Sequence, residues 1–226
     1  PTAEGVLYEV DMRLRPSGNK GPVATRLRAF EKYQFEEAWT WEHMALTRAR
    51  VVAGDPALAE RASVIVENVL ARPGDKSKMT ADVVDMRQMI DKEKPPKDIW
   101  DVKLIPGGLV DIEFIAQYLA LIAPLSGSAT LARDPATKAT LVLLGDRLME
   151  PADLDTVLEA LWLYSAFAQM ARLCLDGAFD IKEAPDGLKE LLCQSAEAPD
   201  IRVLEAEIRR LSAQVRKIFK TVVKTG

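Results

Sequence analysis

Tyr8-Glu9-Val10-Asp11-Met12-Arg13-Leu14-Arg15-Pro16-Ser17-Gly18 carries the decisive pattern. Apolar Tyr8, Val10, Met12 and Leu14 alternate with charged Glu9, Asp11, Arg13 and Arg15. That is the period-2 signature of a strand with one face on a core, and it predicts a strand over residues 5–15. Pro16 ends it, because proline has no N–H to give to a ladder. Ser17-Gly18 and Gly21-Pro22 then make a turn. The charged face has two chemical readings. In one, Asp11 is a hard oxygen ligand for Mg²⁺, and Arg13 and Arg15 offer planar donor forks to phosphate oxygens. In the other, the strand is half-buried and its solvent face is laced with ion pairs.

Beyond the Gly/Pro loop at 16–26 the period changes from 2 to 3.6. A short helix begins with Leu27, Phe30, Tyr33 and Gln34, and a second covers Ala38–Val52 with Trp41, Ala45, Leu46 and Ala49 in its apolar stripe. Gly54-Asp55-Pro56 stops it and starts the third, Asp55 as N-cap and Pro56 at the first helical position. That helix runs to about Arg72. A fourth covers about Thr80–Lys92, with Val83, Met86, Met89 and Ile90 inward. Residues 100–105 read as a short extended segment, and helices follow at about 109–122, 136–147, 152–176 and 186–195. Residues 124–132 are Gly/Ser-rich and read as a loose loop. The final helix, Ile201–Val223, has Ile201, Leu204, Ile208, Leu211, Val215, Ile218 and Val222 at alternating spacings of three and four, a bundle seam. Asp200 caps its start, and Lys217, Lys220 and Lys224 oppose the dipole at its end. The expected fold is mainly α: residues 1–26 close one domain and 27–226 form a helical bundle.

Composition narrows the function classes. The 226 residues are 48% hydrophobic and 28% charged with net charge −4, ordinary for a soluble globular protein. A pI near 5.3 argues against nucleic-acid binding by a broad basic surface. Cys174 and Cys193 are the only cysteines and His43 the only histidine. That leaves no disulfide framework, no Cys/His zinc set and no serine triad of the usual kind. No apolar run reaches the length of a membrane span, and no signal peptide is expected.

Three segments in order, YEVDMRLRPSG (8–18), AWTWEHMALTRARVVAGD (38–55) and KLIPGGLVDIEF (103–114), resemble the glutamine synthetase adenylyltransferases. The resemblance implies a polymerase-β-like nucleotidyltransferase domain, of which residues 1–26 are the terminal strand. It also implies AMP transfer from ATP, with Mg²⁺, to a tyrosine of glutamine synthetase. A cytoplasmic setting follows, with the PII signal protein and glutamine as regulatory partners. The family holds its metals with a Gly-Ser segment, a D-x-D pair and a third aspartate on a neighbouring strand. Asp11 matches the third, as metal ligand and as proton acceptor. The other elements do not precede it, so the expectation is a piece of a longer enzyme that does not transfer AMP alone.

Arg13 and Arg15 resemble residues near the nucleotide, competing with a role as ion-pair partners of Glu9, and Ser17 could shape the phosphate loop or be a plain turn. In the second segment Arg48 is the phosphate candidate, with a salt bridge to Glu42 or Asp11 as the alternative, while Trp39 and Trp41 read as core anchors between two domains. Lys103 and Gly107-Gly108 precede a helix whose free N–H groups can hold an anion, or simply form a helix-start turn. Asp111 and Glu113 are further candidates, but two residues apart on a helix they point to nearly opposite sides; Gln117 is an alternative partner for Glu113. WTWEHMALTRAR with GGLVDIEF is nearer the adenylylating half than the de-adenylylating half, which tends to show GRxWERxAxIKAR and GGIREIEF. The rivals are the de-adenylylating half, a regulatory binding module for PII or glutamine, and the helical part of a PII uridylyltransferase relative.

Overall fold

Leu109–Ile122 is apolar on almost every side, and such a helix belongs in the middle of a protein. In the computed structural model it does: this helix (α5) buries ten of its fourteen residues. The structure describes residues 11, 12, 14–123, 136–175, 177 and 179–224. Among these are nine α-helices and no strand. They are α1 (Leu27–Glu36), α2 (Thr40–Leu46), α3 (Pro56–Leu70), α4 (Lys76–Glu93), α5, α6 (Thr137–Leu148), α7 (Pro151–Cys174), α8 (Asp186–Ser195) and α9 (Ile201–Val222). α5 packs on α2, α4, α6, α7 and α9. α1, α2 and α3 cluster at one end, and α7, α8 and α9 at the other.

The local signals hold where they rest on the chain's own chemistry. Asp55 accepts the N–H of Leu58 at 3.0 Å with Pro56 in the first turn, and Asp200 accepts those of Arg202 and Val203. The seam of α9 faces inward: Leu204, Ile208, Leu211, Val215 and Ile218 are buried, and Phe219 joins them. Burial of each such side chain contributes about 1.5–3 kcal/mol. Trp100, Phe167 and Phe179 form an aromatic cluster with centroids 5.3–5.7 Å apart, one pair stacked and two edge-on.

Several expectations need correction. The strand over 5–15 is not seen in its described part. Residues 11 and 12 have no regular structure, and the chain is already turning at Leu14, with Gly18 N–H donating to Arg15 O at 2.8 Å. Glu9, Arg13 and the rest of that strand lie outside the described residues, as does the loop at 124–132. Residues 100–105 are successive turns, not extended chain. The Asp98 and Asp101 carboxylates accept the N–H groups of Trp100 and Leu104, and Asp101 O accepts that of Ile105; such short side chains compete for local backbone donors and favour turns. α2 stops at Leu46 instead of Val52. Its last turn tightens to i→i+3 bonds, Arg48 N–H to Ala45 O and Ala49 N–H to Leu46 O, and the Thr47 hydroxyl donates to Met44 O. α4 begins at Lys76, four residues early, because Asp75 caps it through Lys78 N–H. Met89, expected inward, is exposed, and Arg87 is buried.

Candidate functional site

The first and second segments converge on one cleft of about 710 Å³. One rim is the turn Leu14-Arg15-Pro16, and another is α2 with the irregular chain that follows it, from Trp41 to Val51. The floor is apolar, with Phe30 from α1, Val66 from α3, Met86 from α4 and Phe114 from α5. Ending α2 early is what sends Arg48 and Arg50 to this rim. A volume of this order suits a small organic ligand. A larger groove of about 920 Å³ runs along α9, where Lys217, Lys220 and Lys224 line it. It gathers none of the candidate residues, so the cleft is the better site.

The candidates have distinct fates. Arg15 lines the cleft while its guanidinium secures the turn, donating to Met12 O at 2.7 Å and Gly21 O at 3.3 Å. Arg48 lines it and pairs with Glu113 across 3.3 Å; neither Glu42 nor Gln117 is the partner in that pair. Glu42 lines it too, but is buried and committed. It accepts the Tyr33 hydroxyl at 2.7 Å and reaches back to the N–H of Trp39 at 2.9 Å, the return half of a capping box. Burial, and then the hydrogen bond to Glu42, hold the Tyr33 phenol above its usual range. Asp11 and Ser17 are exposed, and Ser17 has left-handed backbone at φ 60°. Trp39 and Trp41 are 70% and 39% exposed in this segment and are not core residues of it. His43 is half-buried, its Nε2 3.0 Å from Gln34 O.

The third segment lies apart from the cleft except through Phe114, which lines it, and Glu113, which pairs with Arg48 at its rim. Lys103 is exposed. The N–H groups that were candidates for an anion are already used: Gly107 N–H donates to Asp111 Oδ2 at 2.6 Å, Gly108 to Ile105 O, Leu109 to Val102 O and Val110 to Lys103 O. The Gly-Gly pair has a steric purpose. A Cβ on Gly107, whose φ is +83°, would lie 1.8 Å from Ser212 O of α9, and one on Gly108 2.4 Å from Val102 O.

Asp111 is fully buried and serves the fold. It hydrogen-bonds Arg87 Nε of α4 and accepts Arg216 Nη1 of α9 at 3.0 and 3.1 Å. Asp91 closes the cluster, taking Arg87 Nη1 at 2.5 Å and Arg216 Nη2 at 3.0 Å. Two arginines and two aspartates thus tie α4, α5 and α9 together with balanced charge. Glu113, on the opposite side of α5, meets Arg48 instead, as the spacing requires.

Two residues of the cleft were not singled out for chemistry in the sequence. Arg50 lines it with no carboxylate within ion-pair distance among the described residues. Gln34 lines it while only 5% exposed. Its Oε1 is the one buried side-chain N or O atom among the described residues with no hydrogen-bond partner; such a group costs about 1–3 kcal/mol. A glutamine one turn after Phe30, on an apolar stripe, was the available signal. For Mg²⁺, no three His, Cys, Asp or Glu side chains converge among the described residues. Asp11 alone does not make a site for an ion that demands near-octahedral oxygen coordination. No helix among the described residues is long and apolar enough to cross a membrane.

The sequence profile for glutamate-ammonia ligase adenylyltransferase matches residues 1–64. Over 223 residues the chain is 60% identical to the bifunctional glutamine synthetase adenylyltransferase/adenylyl-removing enzyme of Rhizobium meliloti, a match covering 99% of this chain and 23% of the relative. The enzyme of the same name from Agrobacterium fabrum is 57% identical over the whole chain, again with 23% of the relative covered. That from Brucella suis is 50% identical over 227 aligned positions. The chain spans about a quarter of the length of these relatives. Together with the three ordered segments, these matches bear out the resemblance: along nearly its whole length the chain is similar to about a quarter of each of these bifunctional glutamine synthetase adenylyltransferase/adenylyl-removing enzymes.

Proposed function

We propose that this chain is the helical part, with the end of the nucleotidyltransferase domain at residues 1–26, of an enzyme that transfers AMP from ATP to a tyrosine of glutamine synthetase. The observation that carries this reading is the convergence of the first two segments on one cleft rimmed by Arg15, Arg48 and Arg50. Arginine forks match phosphate oxygens, and an apolar floor suits the base and ribose. Asp11 precedes that rim by four residues and is the proposed proton acceptor for the phenol, whose ordinary pKa near ~10 requires one. Mg²⁺ would neutralise the triphosphate and polarise the α-phosphate. Asp11 would be one of its ligands, and the others would come from outside this segment. Lys103 remains a proposed nucleotide contact only if the intact enzyme brings a second surface to it.

Between the two activities in the relatives' names, the WTWEHMALTRAR and GGLVDIEF segments favour the adenylylating half. A cytoplasmic location and control by PII and glutamine belong to the same reading. The test is Asp11→Asn in the full-length enzyme that contains this segment. At saturating ATP and Mg²⁺, AMP incorporation into glutamine synthetase should fall about 10²–10⁴-fold while thermal unfolding stays unchanged. A stable variant with near-normal turnover refutes the assignment. Loss of phosphate-dependent ADP release with AMP incorporation intact would place the segment in the opposite half. The 226-residue chain alone should incorporate no label from ATP.

A further inference from the structure

We infer that Gln34 selects the base of the nucleotide, pairing its carboxamide with the 6-amino group and N7 of adenine; this rests on the cleft being the ATP site proposed above. The observation is an unused amide in a built pocket. Gln34 lines the cleft and is 5% exposed, and its Oε1 has no partner among the described residues. Its hydrogen bond outside the helix ladder is through the backbone, where His43 Nε2 meets Gln34 O at 3.0 Å. The side-chain amide donates to no described residue either. A leucine or methionine would fill the same space without an orphaned acceptor. The buried amide therefore calls for a ligand that uses it.

The surroundings narrow the ligand. The cleft that Gln34 lines is also lined by Phe30, Trp41, Met44 and Phe114, which suit a flat heteroaromatic ring. Arg50, unpaired among the described residues, and Arg48 supply cations at the rim for an attached phosphate. A carboxamide presents one donor beside one acceptor. At its N7 edge adenine presents the complement, an N6–H donor beside the N7 acceptor, whereas guanine presents two acceptors there. The terminal torsion of glutamine is soft, so the covered Oε1 and the amide nitrogen can both be turned to the ring. Guanine leaves Oε1 facing an acceptor.

The test uses the full-length enzyme and three probes: ATP, 7-deaza-ATP and purine riboside triphosphate, which lacks the 6-amino group. Titration calorimetry on the wild type should rank ATP above both analogues, since one bidentate contact of this kind is worth about 5–150-fold. Gln34→Leu should weaken ATP by a factor in that range, weaken the two analogues by less because each keeps only one of the two contacts, and keep or raise the melting temperature. The inference is overturned if wild-type enzyme binds all three probes alike, a result that needs no variant to fold. It is equally overturned if Gln34→Leu binds ATP normally, or weakens all three probes by the same factor. Failure of the functional reading looks different: a wild type that prefers ATP but labels no glutamine synthetase sinks the proposed activity and leaves the role of Gln34 standing. A wild type that labels glutamine synthetase, with a Gln34→Leu variant of unchanged base preference, sinks only Gln34.

Discussion

Around Asp111 every charge is matched, Asp111 and Arg87 being fully buried, with Arg87 and Asp91 of α4, Arg216 of α9 and the N–H of Gly107 all committed. At the cleft the same residue types stand in solvent. Arg48 has a single ion pair on half-exposed side chains, and Arg50 has no carboxylate partner among the described residues. The difference separates two uses of one chemistry. A buried ion survives only when paired and hydrogen-bonded, so a complete cluster spends its charges on holding helices together. Cations left without a full complement can still bind something else.

The largest effect should come from breaking the complete cluster. Asp111→Ala would leave two arginines with only the partly exposed Asp91 between them, and should cost about 3–5 kcal/mol of stability by urea unfolding; a loss under about 1 kcal/mol would mean that the cluster is not what joins α4, α5 and α9. Next comes its backbone partner. Gly107→Ala forces a side chain into left-handed backbone and into Ser212 O, and should lower stability by at least about 1–3 kcal/mol on a thermal melt. An unchanged melting temperature would show that the loop is free to move off α9.

On the cleft side, Arg48→Ala should change stability by only about 0–1 kcal/mol, because its pair with Glu113 is half-exposed. AMP incorporation by the full-length enzyme should nevertheless fall at least about tenfold, the lower end of what one charge-assisted contact contributes. Equal losses in both measurements would erase the contrast between the two regions. The smallest effect concerns Asp82 of α4, which touches α2. Hydrogen bonds from Lys78 and then from Thr40 hold its carboxyl below the usual range. A depressed pKa in the folded state stabilises above the unfolded value near ~3.9, and the gain is lost as pH falls toward the folded value. Asp82→Asn should therefore cost about 0–1 kcal/mol at neutral pH, with the gap to wild type closing below about pH 4. A gap that widens in acid would mean the opposite sign of shift.

The sequence by itself determined the helical character, most helix limits and the caps, because each depends on neighbours within a turn or two: Asp55 and Asp200 reach their own chain's N–H groups, and the α9 seam follows from 3.6-residue geometry. It also brought out the family, through motifs that are contiguous strings. It misjudged residues whose fate depends on distant partners. Arg87 lies inside and Met89 outside because Asp111, 24 positions beyond Arg87, balances the arginine's charge. Asp111 is structural because Arg216 reaches it across 105 positions, and Asp91 meets the same arginine across 125. The end of α2, which sends Arg48 and Arg50 to the cleft, and the amide of Gln34, unpaired among the described residues, are likewise decided by packing. Burial and pairing between remote segments leave no periodic trace in the chain, so only the tertiary structure could sort these charges into those that hold the fold and those left open to a ligand.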